Sequence, residues 1–137
     1  MREDHITFKT AKLAEERGYR TREANRHPHK DAYTSDGEFY KRVGISAIGA
    51  GLKFYEGPTQ DVLRKWLRNE FNIFVEVHTD CTTEPKFWYL IRQFKGDPKD
   101  LASEEWEWLD SVESAVLDRE YETALEYGLQ EALKLIP

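Results

Sequence analysis

The sequence contains one cysteine, one methionine and five prolines among 137 residues, and no long run of apolar residues. Because Cys81 stands alone, the chain has no internal disulfide and does not read as a small secreted scaffold held together by disulfides. No apolar stretch approaches the roughly 18 residues that a membrane-spanning helix needs. The first ten residues, MREDHITFKT, lack the basic and then apolar layout of a signal peptide. We therefore expect a cytoplasmic protein that does not enter a membrane.

The formal net charge is −6, and it is unevenly distributed. Residues 1–95 hold 17 Lys and Arg against 14 Asp and Glu, whereas residues 96–137 hold 3 against 12. This distribution excludes a uniformly basic nucleic-acid binder but leaves room for one basic patch. The length suits a single domain, and aromatic residues at 13% are enough for a substantial core. We predict one domain over residues 1–137.

Hydrophobic periodicity predicts a β-hairpin flanked by two helices. Residues 73–79 alternate between apolar and mixed positions, and residues 86–95, KFWYLIRQFK, are rich in aromatic and β-branched side chains. Residues 59–71 have the spacing of a helix with one apolar and one basic side, and residues 121–136 carry a continuous apolar stripe. Gly128 lies in that stripe at a cost of about 1 kcal/mol relative to alanine. We expect the backbone of another segment to approach closely there.

The rest of the chain gives weaker patterns. Thr7 is a suitable cap for a short helix that Gly18 ends, residues 35–37 mark a turn, and residues 38–57 supply one or two strands. Residues 104–117 fit either a helix or a third strand, and we favour the helix. Together these patterns predict an α+β fold in which an antiparallel sheet with a β-hairpin is packed by two or more helices.

No arrangement of residues typical of catalysis is present, and we predict no enzymatic activity, no metal and no cofactor. Four residues with metal-binding side chains occur in two pairs, but neither pair has a usual zinc spacing, nor does Cys81 have the sequence context of a nucleophile. These residues are His27, His29, His78 and Cys81. An enzyme or metal protein built on them is the least favoured of three hypotheses.

Two stretches point to binding. Trp106 and Trp108 lie in an acidic segment, and tryptophan is enriched where proteins bind each other, so we predict a protein partner of unknown identity. The stretch 17–30, RGYRTREANRHPHK, mixes basic and aromatic residues and predicts nucleic-acid binding as the alternative. The residues of this alternative are Arg20, Arg22, Arg26, Lys30, Arg64, Lys65 and Arg68. Opposite charge at the two ends of the chain also permits homo-oligomers.

Three stretches resemble a family of small uncharacterised proteins of gut bacteria and their phages. They are ITFKTAKLAEERGY at 6–19, PTQDVLRKWLR at 58–68 and YETALEYGLQEALKLI at 121–136. The resemblance implies an accessory protein of a phage, prophage or mobile element, and it implies no particular activity. The leading hypothesis is therefore a non-enzymatic protein-interaction module of this type.

The predicted order is a helix, a hairpin and a closing helix, with a third strand after the hairpin if residues 104–117 form the alternative strand. This is also the order found in double-stranded RNA-binding domains. That fold holds phosphates with lysines at the start of its last helix. The corresponding residues here, DREYETALEYG at 118–128, are acidic. We therefore do not extend RNA binding to this chain from the order of its elements.

Overall fold

The computed structural model describes residues 5–19, 29–44, 54–80, 84–95, 107–113 and 117–137. Within these residues the helices are α1 (Phe8–Glu16), α2 (Gln60–Phe71) and α3 (Tyr121–Lys134). The strands are β1 (His29–Thr34), β2 (Phe39–Gly44), β3 (Phe54–Glu56), β4 (Ile73–Asp80), β5 (Lys86–Lys95) and β6 (Glu107–Glu113). They form two antiparallel sheets, in the orders β2-β1-β3 and β4-β5-β6. The predicted α+β class, with a hairpin packed by helices, is confirmed.

Contacts between Cα atoms divide the chain into two compact units, Asp4–Thr59 and Gln60–Pro137. The N-terminal unit contains α1 and the first sheet, and the C-terminal unit contains α2, α3 and the second sheet. The single domain over residues 1–137 stays a prediction. None of the described helices is long and apolar enough to cross a membrane.

In the N-terminal unit, α1 begins and ends as its sequence predicts. The Thr7 hydroxyl accepts a hydrogen bond from the backbone N–H of Thr10 at 3.4 Å, which satisfies a free donor of the first turn. At the other end Gly18 adopts a φ of 90°, and the N–H of Tyr19 returns to the carbonyl of Ala14 at 2.9 Å. Glycine reaches this left-handed conformation without strain, so the helix ends there.

The central strand of the first sheet, β1, has no counterpart in the sequence prediction, which found no period across these residues. Ala32 and Tyr33 follow one another, and both are buried, so both faces of the strand are covered and its sequence does not alternate. The predicted turn at 35–37 and two strands within 38–57 are confirmed. Gly37 supplies the turn with a φ of 94°, and β1 pairs with both β2 and β3.

In the C-terminal unit, a single residue joins α2 to β4. Asn72 has a φ of 55°, a left-handed conformation that asparagine tolerates better than most residues. Its N–H donates to the carbonyl of Arg68, and its own carbonyl accepts the N–H of Phe94, both at 3.1 Å. The residue thereby ends the helix and starts the pairing of β4 with β5.

Helix α2 has the two sides that its sequence predicts, with one exception. Leu63 and Leu67 are fully buried, whereas Lys65 and Arg68 are exposed. Val62, which as an apolar residue is expected on the buried side, is 48% exposed. At 100° per residue Val62 lies beside the stripe centred on the two leucines rather than within it.

The core of the C-terminal unit lies between the second sheet and its two helices. Its fully buried aliphatic side chains are Leu63, Leu67, Ile73, Ile91, Leu125, Leu129 and Leu133. Gly128 marks the closest approach of α3 to the hairpin. A methyl group there would lie 2.9 Å from Val75 Cγ1 and 3.0 Å from Tyr89 Cβ. Another segment does approach closely, but the nearest atoms belong to side chains of the sheet and not to a backbone, as we had expected.

The helix that we favoured for residues 104–117 is wrong where the structure describes this segment. Residues 107–113 form β6, which pairs antiparallel with β5 from Leu90 to Lys95. Strand β5 pairs with β4 along one side only, and buried backbone groups on its other side need hydrogen-bond partners. This pairing outweighs the helical signal of the acidic residues.

We expect Gly128→Ala to lower the free energy of unfolding by about 1 kcal/mol. The methyl group forces Val75 or Tyr89 to move, and overpacking costs more than the helix propensity that alanine gains. Urea unfolding measures the difference. In a Val75→Ala background, Gly128→Ala should lower the free energy of unfolding by less, because the Val75 Cγ1 methyl group that the new methyl group would meet is absent. A higher urea midpoint for Gly128→Ala would contradict the close approach.

Alkaline pH provides a second test of this packing. Burial, followed by the carboxylate of Glu131, raises the pKa of Tyr89 above its ordinary value of 10.0. The folded state therefore disfavours the phenolate, and the stability present below pH 10 is lost as the pH rises through the raised value. We expect the free energy of unfolding of Tyr89→Phe to fall less steeply above pH 10 than that of the wild type. Parallel curves would contradict this assignment.

Candidate functional site

The two faces of the second sheet have different surroundings. Val75 and Tyr89 lie against Gly128, so their face is covered by α3. Because successive strand residues point to opposite faces, the residues on either side of them belong to the other face. The β4–β5 register places Phe74 opposite Arg92 and His78 opposite Trp88. We call this second surface the open face, although Leu90 within it is buried. The β5–β6 register adds the positions of Ser111 and Glu113, opposite Arg92 and Leu90. Its residues on β4 and β5 are Phe74, Glu76, His78, Trp88, Leu90, Arg92 and Phe94.

Aromatic rings form two groups on the open face. The imidazole of His78 stacks on the indole of Trp88, with centroids 4.6 Å apart and planes 20° apart. Phe74 meets Phe94 edge to face, with centroids 5.4 Å apart. The rings of His78, Trp88 and Phe74 are half-buried, so part of each remains in contact with solvent. Half-exposed aromatic groups of this kind supply much of the binding energy of protein interfaces.

Between the two aromatic groups lies a small charged cluster. Glu76 Oε2 is 3.0 Å from His78 Nε2 and 3.7 Å from Arg92 Nε. The three side chains are 39%, 41% and 38% exposed, respectively. Ion pairs this accessible to water contribute only about 0.2–1 kcal/mol to folding. The contribution of these ion pairs to folding stability is therefore small. The exposed parts of the three side chains are accessible to a binding partner.

The predicted protein-binding tryptophans fall only partly within the described chain. Trp106 lies outside the described residues. Trp108 belongs to β6, where its Cα pairs with that of Phe94, and its side chain lies outside the described part. The structure therefore places Trp108 on the same sheet as the open face, one strand away.

The residues predicted to bind nucleic acid are likewise divided between the described and the undescribed parts of the chain. Arg20, Arg22 and Arg26 lie outside the described residues, and Lys30 is in β1 opposite Val43 with its side chain outside the described part. The other three residues lie on α2. Arg64 pairs with Asp61 at 3.0 Å, whereas Lys65 and Arg68 are exposed.

Of the four residues with metal-binding side chains, the structure describes the surroundings of one. His78 is part of the open face and is stacked on Trp88. His29 is the first residue of β1, with its side chain outside the described part, and His27 and Cys81 lie outside altogether. Among the described residues, no three His, Cys, Asp or Glu side chains are grouped so that they could hold a metal ion.

A second polar cluster, which the sequence does not reveal, lies in the N-terminal unit. Asp31 Oδ2 is 2.8 Å from His5 Nε2, and Asp31 Oδ1 accepts the backbone N–H of Arg42 at 3.0 Å. Arg42 has a φ of 57° within a bulge of β2, a conformation that costs a residue with a side chain about 1–2 kcal/mol. The Asp31 carboxylate therefore fixes an unfavourable bulge and anchors the segment before α1, which is a structural role.

The open-face residues Phe74, Glu76, Trp88 and Arg92 were missed as site residues. The alternation of residues 73–79 indicated that Phe74 and Glu76 share a face, and residues 86–95 were recognised as a strand. The missing information was the register between the two strands. Turn length alone does not fix that register. The sequence therefore does not show that Trp88 lies opposite His78.

Comparisons with protein-family models, with curated proteins and with solved structures find no match for this chain. The open face and the Asp31 cluster are therefore interpreted from their own geometry.

We expect Asp31→Ala to lower the free energy of unfolding by about 1–3 kcal/mol, because it removes the acceptor for the Arg42 N–H and the partner of His5. Hydrogen exchange at the Arg42 amide should become faster. Arg42→Gly provides a matched background, since glycine adopts a φ of 57° without strain and should make Asp31→Ala less costly. Unchanged exchange at Arg42 would contradict the anchoring role.

Proposed function

We propose that this chain is a non-enzymatic protein-interaction module that holds a protein partner on the open face of its second sheet. The observation that carries the proposal is the difference between the two faces. One face is closed by α3 against Val75 and Tyr89, and the other presents half-exposed aromatic rings around an accessible charged cluster. Tryptophan and arginine are the residues most often found at the energetic centres of protein interfaces.

The charge of the open face favours a protein partner over a nucleic acid. The described cluster contains one carboxylate, Glu76, and one guanidinium, Arg92. The β5–β6 register puts the position of a second acidic residue, Glu113, on the same face. Residues 60–137 hold 9 Lys and Arg against 17 Asp and Glu, a net charge of −8. A polyphosphate would approach this unit against repulsion, without the excess of cations that drives nucleic-acid binding.

The predicted tryptophan site fits this proposal. Trp108 pairs through its Cα with Phe94, whose ring contacts Phe74 on the open face. Trp106 and Trp108 stay predicted contact residues, and Trp108 belongs to the strand next to this surface. We further propose, from the resemblance to proteins of gut bacteria and their phages, that the module is an accessory protein of a phage or mobile element and acts in the cytoplasm.

Nucleic-acid binding is the second candidate function, and the exposed cations Lys65 and Arg68 on α2 are the observation that favours it. Arg64 contributes less to a phosphate-binding surface, because its guanidinium already pairs with Asp61 at 3.0 Å. Binding through these residues and the basic stretch 17–30 would weaken steeply with added salt.

The proposal is tested by comparing the proteins captured from a host lysate by the wild-type chain, Trp88→Ala and Tyr127→Ala. Tyr127 is the matched control, because it is an aromatic side chain 51% exposed on α3, away from the open face. We expect the wild-type chain to capture one host protein at near-equal stoichiometry, and we expect nuclease treatment to leave this capture unchanged. Trp88→Ala should weaken its binding by about tenfold or more, and Tyr127→Ala should not.

Arg92→Ala is a second open-face variant, included because Trp88 is half-buried and its truncation affects packing. Circular dichroism and urea unfolding check that each variant is folded. Equal capture of the same partner by all four chains would contradict docking on the open face. Captured material that disappears with nuclease, and is lost in Lys65→Glu, would favour the nucleic-acid alternative.

A further inference from the structure

The loop between β1 and β2 contains a chemically reactive dipeptide, Asp36–Gly37. It is the only Asp-Gly pair in the sequence, which has no Asn-Gly pair. In such a pair the backbone nitrogen of the glycine attacks the carboxyl carbon of the aspartate side chain and closes a cyclic imide. Glycine favours this step because it has no side chain to hinder the attack. By its sequence, this dipeptide is the position in the chain best suited to the reaction.

Backbone hydrogen bonds define a tight loop around the dipeptide. The N–H of Gly37 donates to the carbonyl of Thr34 at 3.0 Å, and the N–H of Thr34 donates to the carbonyl of Glu38 at 2.8 Å. Gly37 adopts a φ of 94°. This is the arrangement of a three-residue hairpin loop in which a residue in the left-handed conformation follows the turn. Asp36 is exposed in this loop, so water reaches its side chain.

The Thr34 hydroxyl adds a second set of contacts. It donates to Asp36 Oδ1 and accepts the backbone N–H of Glu38 at 3.1 Å. Closing the imide removes the hydrogen from the Gly37 nitrogen, so the hydrogen bond from Gly37 to the Thr34 carbonyl must break. The carboxyl carbon of Asp36 must also move onto that nitrogen, so the contact with the Thr34 hydroxyl must shift. The loop therefore has to open before Asp36 reacts.

We propose that Asp36–Gly37 is a site of spontaneous backbone isomerisation, that the closed loop protects it, and that its conversion to isoaspartate loosens α1. The inference is independent of the open face. In the first step the bond between the Gly37 nitrogen and Asp36 Cγ forms and the bond from Cγ to the hydroxyl of the protonated carboxyl breaks. The amide hydrogen leaves with that hydroxyl as one molecule of water.

In the second step water hydrolyses the imide. When it breaks the bond between the Gly37 nitrogen and the former main-chain carbonyl carbon of Asp36, the main chain runs through the side chain of that residue. The main chain is then one carbon longer, and the former main-chain carbonyl becomes a free carboxylate. One water leaves and one enters, so no oxidant, reductant or other reagent is needed and the mass of the chain is unchanged.

The consequence for α1 follows from the packing of Gly37. A Cβ atom built on Gly37 would lie 3.3 Å from Phe8 Cδ1, so the loop backbone lies against the Phe8 ring. The same ring packs against Tyr33 and Tyr55, with centroids 5.6 and 5.8 Å away. An extra carbon in the main chain displaces Gly37 from this position. Isomerisation therefore removes a contact that holds Phe8, the first residue of α1, in the core of the N-terminal unit.

The inference is tested by incubating the full chain in neutral buffer, with and without urea, and measuring isoaspartate at residue 36 over time. Peptide mapping with electron-transfer fragmentation distinguishes isoaspartate from aspartate at equal mass. We expect isoaspartate to form in both samples, at a rate about tenfold or more lower in the folded chain, because only the open loop reacts. Equal rates with and without urea, or no isoaspartate in urea, would overturn the proposal.

Thr34→Val tests the role of the hydroxyl, because valine keeps the β-branched shape and removes both contacts of the hydroxyl. We expect isoaspartate to form about threefold to tenfold faster in the folded Thr34→Val chain, and Thr34→Ser to restore the wild-type rate. Circular dichroism checks that each variant is folded.

Tyr33→Phe is the matched control. It removes the buried hydrogen bond from the Tyr33 hydroxyl to the carbonyl of Ile6 in the same unit and leaves the hydrogen bonds of the loop in place. We expect its isomerisation rate to stay close to that of the wild type. A rate as high as that of Thr34→Val would show that unfolding of the whole unit controls the reaction, and it would overturn protection by the loop.

Hydrogen exchange tests the link to α1. The N–H of Ala11 donates to the carbonyl of Thr7 at 2.9 Å in the first turn of this helix. In incubated wild-type protein, the fraction of molecules with fast exchange at Ala11 should rise with the fraction of isoaspartate. Asp36→Glu keeps the charge but closes its larger ring far more slowly, so the same incubation should leave its exchange unchanged. Exchange at Ala11 that does not follow the isoaspartate fraction would overturn the link.

Discussion

The contact between Gly128 and the β4–β5 hairpin determines which face of the second sheet is buried. A missing side chain at this position lets α3 approach until Val75 and Tyr89 fill the space that a methyl group would need. Since strand residues alternate, burying this set leaves Phe74, Glu76 and His78 on the opposite side. The surface that we interpret as functional thus follows from a packing constraint on the other side of the sheet.

The features that could be predicted from the sequence are those set by local periodicity and by turn residues. Three such features depend only on near neighbours in the chain, and all three appear in the structure. They are the alternation of residues 73–79, the apolar stripe around Gly128 and the helix cap at Thr7. Strands β1 and β6 depend on distant partners. β1 is buried on both faces and so lacks a period, and β6 forms because β5 has a second side to pair. Neither cause is visible in a short window of sequence.

The candidate site was harder to predict for the same reason. The sequence shows His78 as one of four residues with metal-binding side chains and Trp88 as part of an aromatic strand. They become a stacked pair only through cross-strand register. Glu76 and Arg92 are two charged residues among many until that register places them diagonally across two strands. An aromatic surface on a unit with a net charge of −8 is a property of the folded sheet, and composition alone does not reveal it.

The central claim is that the open face is accessible in the isolated chain and becomes covered when the protein binds. Hydroxyl-radical footprinting read by mass spectrometry tests it directly, because it reports the solvent accessibility of each aromatic side chain. In dilute protein we expect both Trp88 and Tyr127 to be oxidised. When a captured partner is added, oxidation of Trp88 should fall while that of Tyr127 stays constant. A Trp88 that resists oxidation in the isolated chain, or whose oxidation does not fall when the partner is added, would contradict the account.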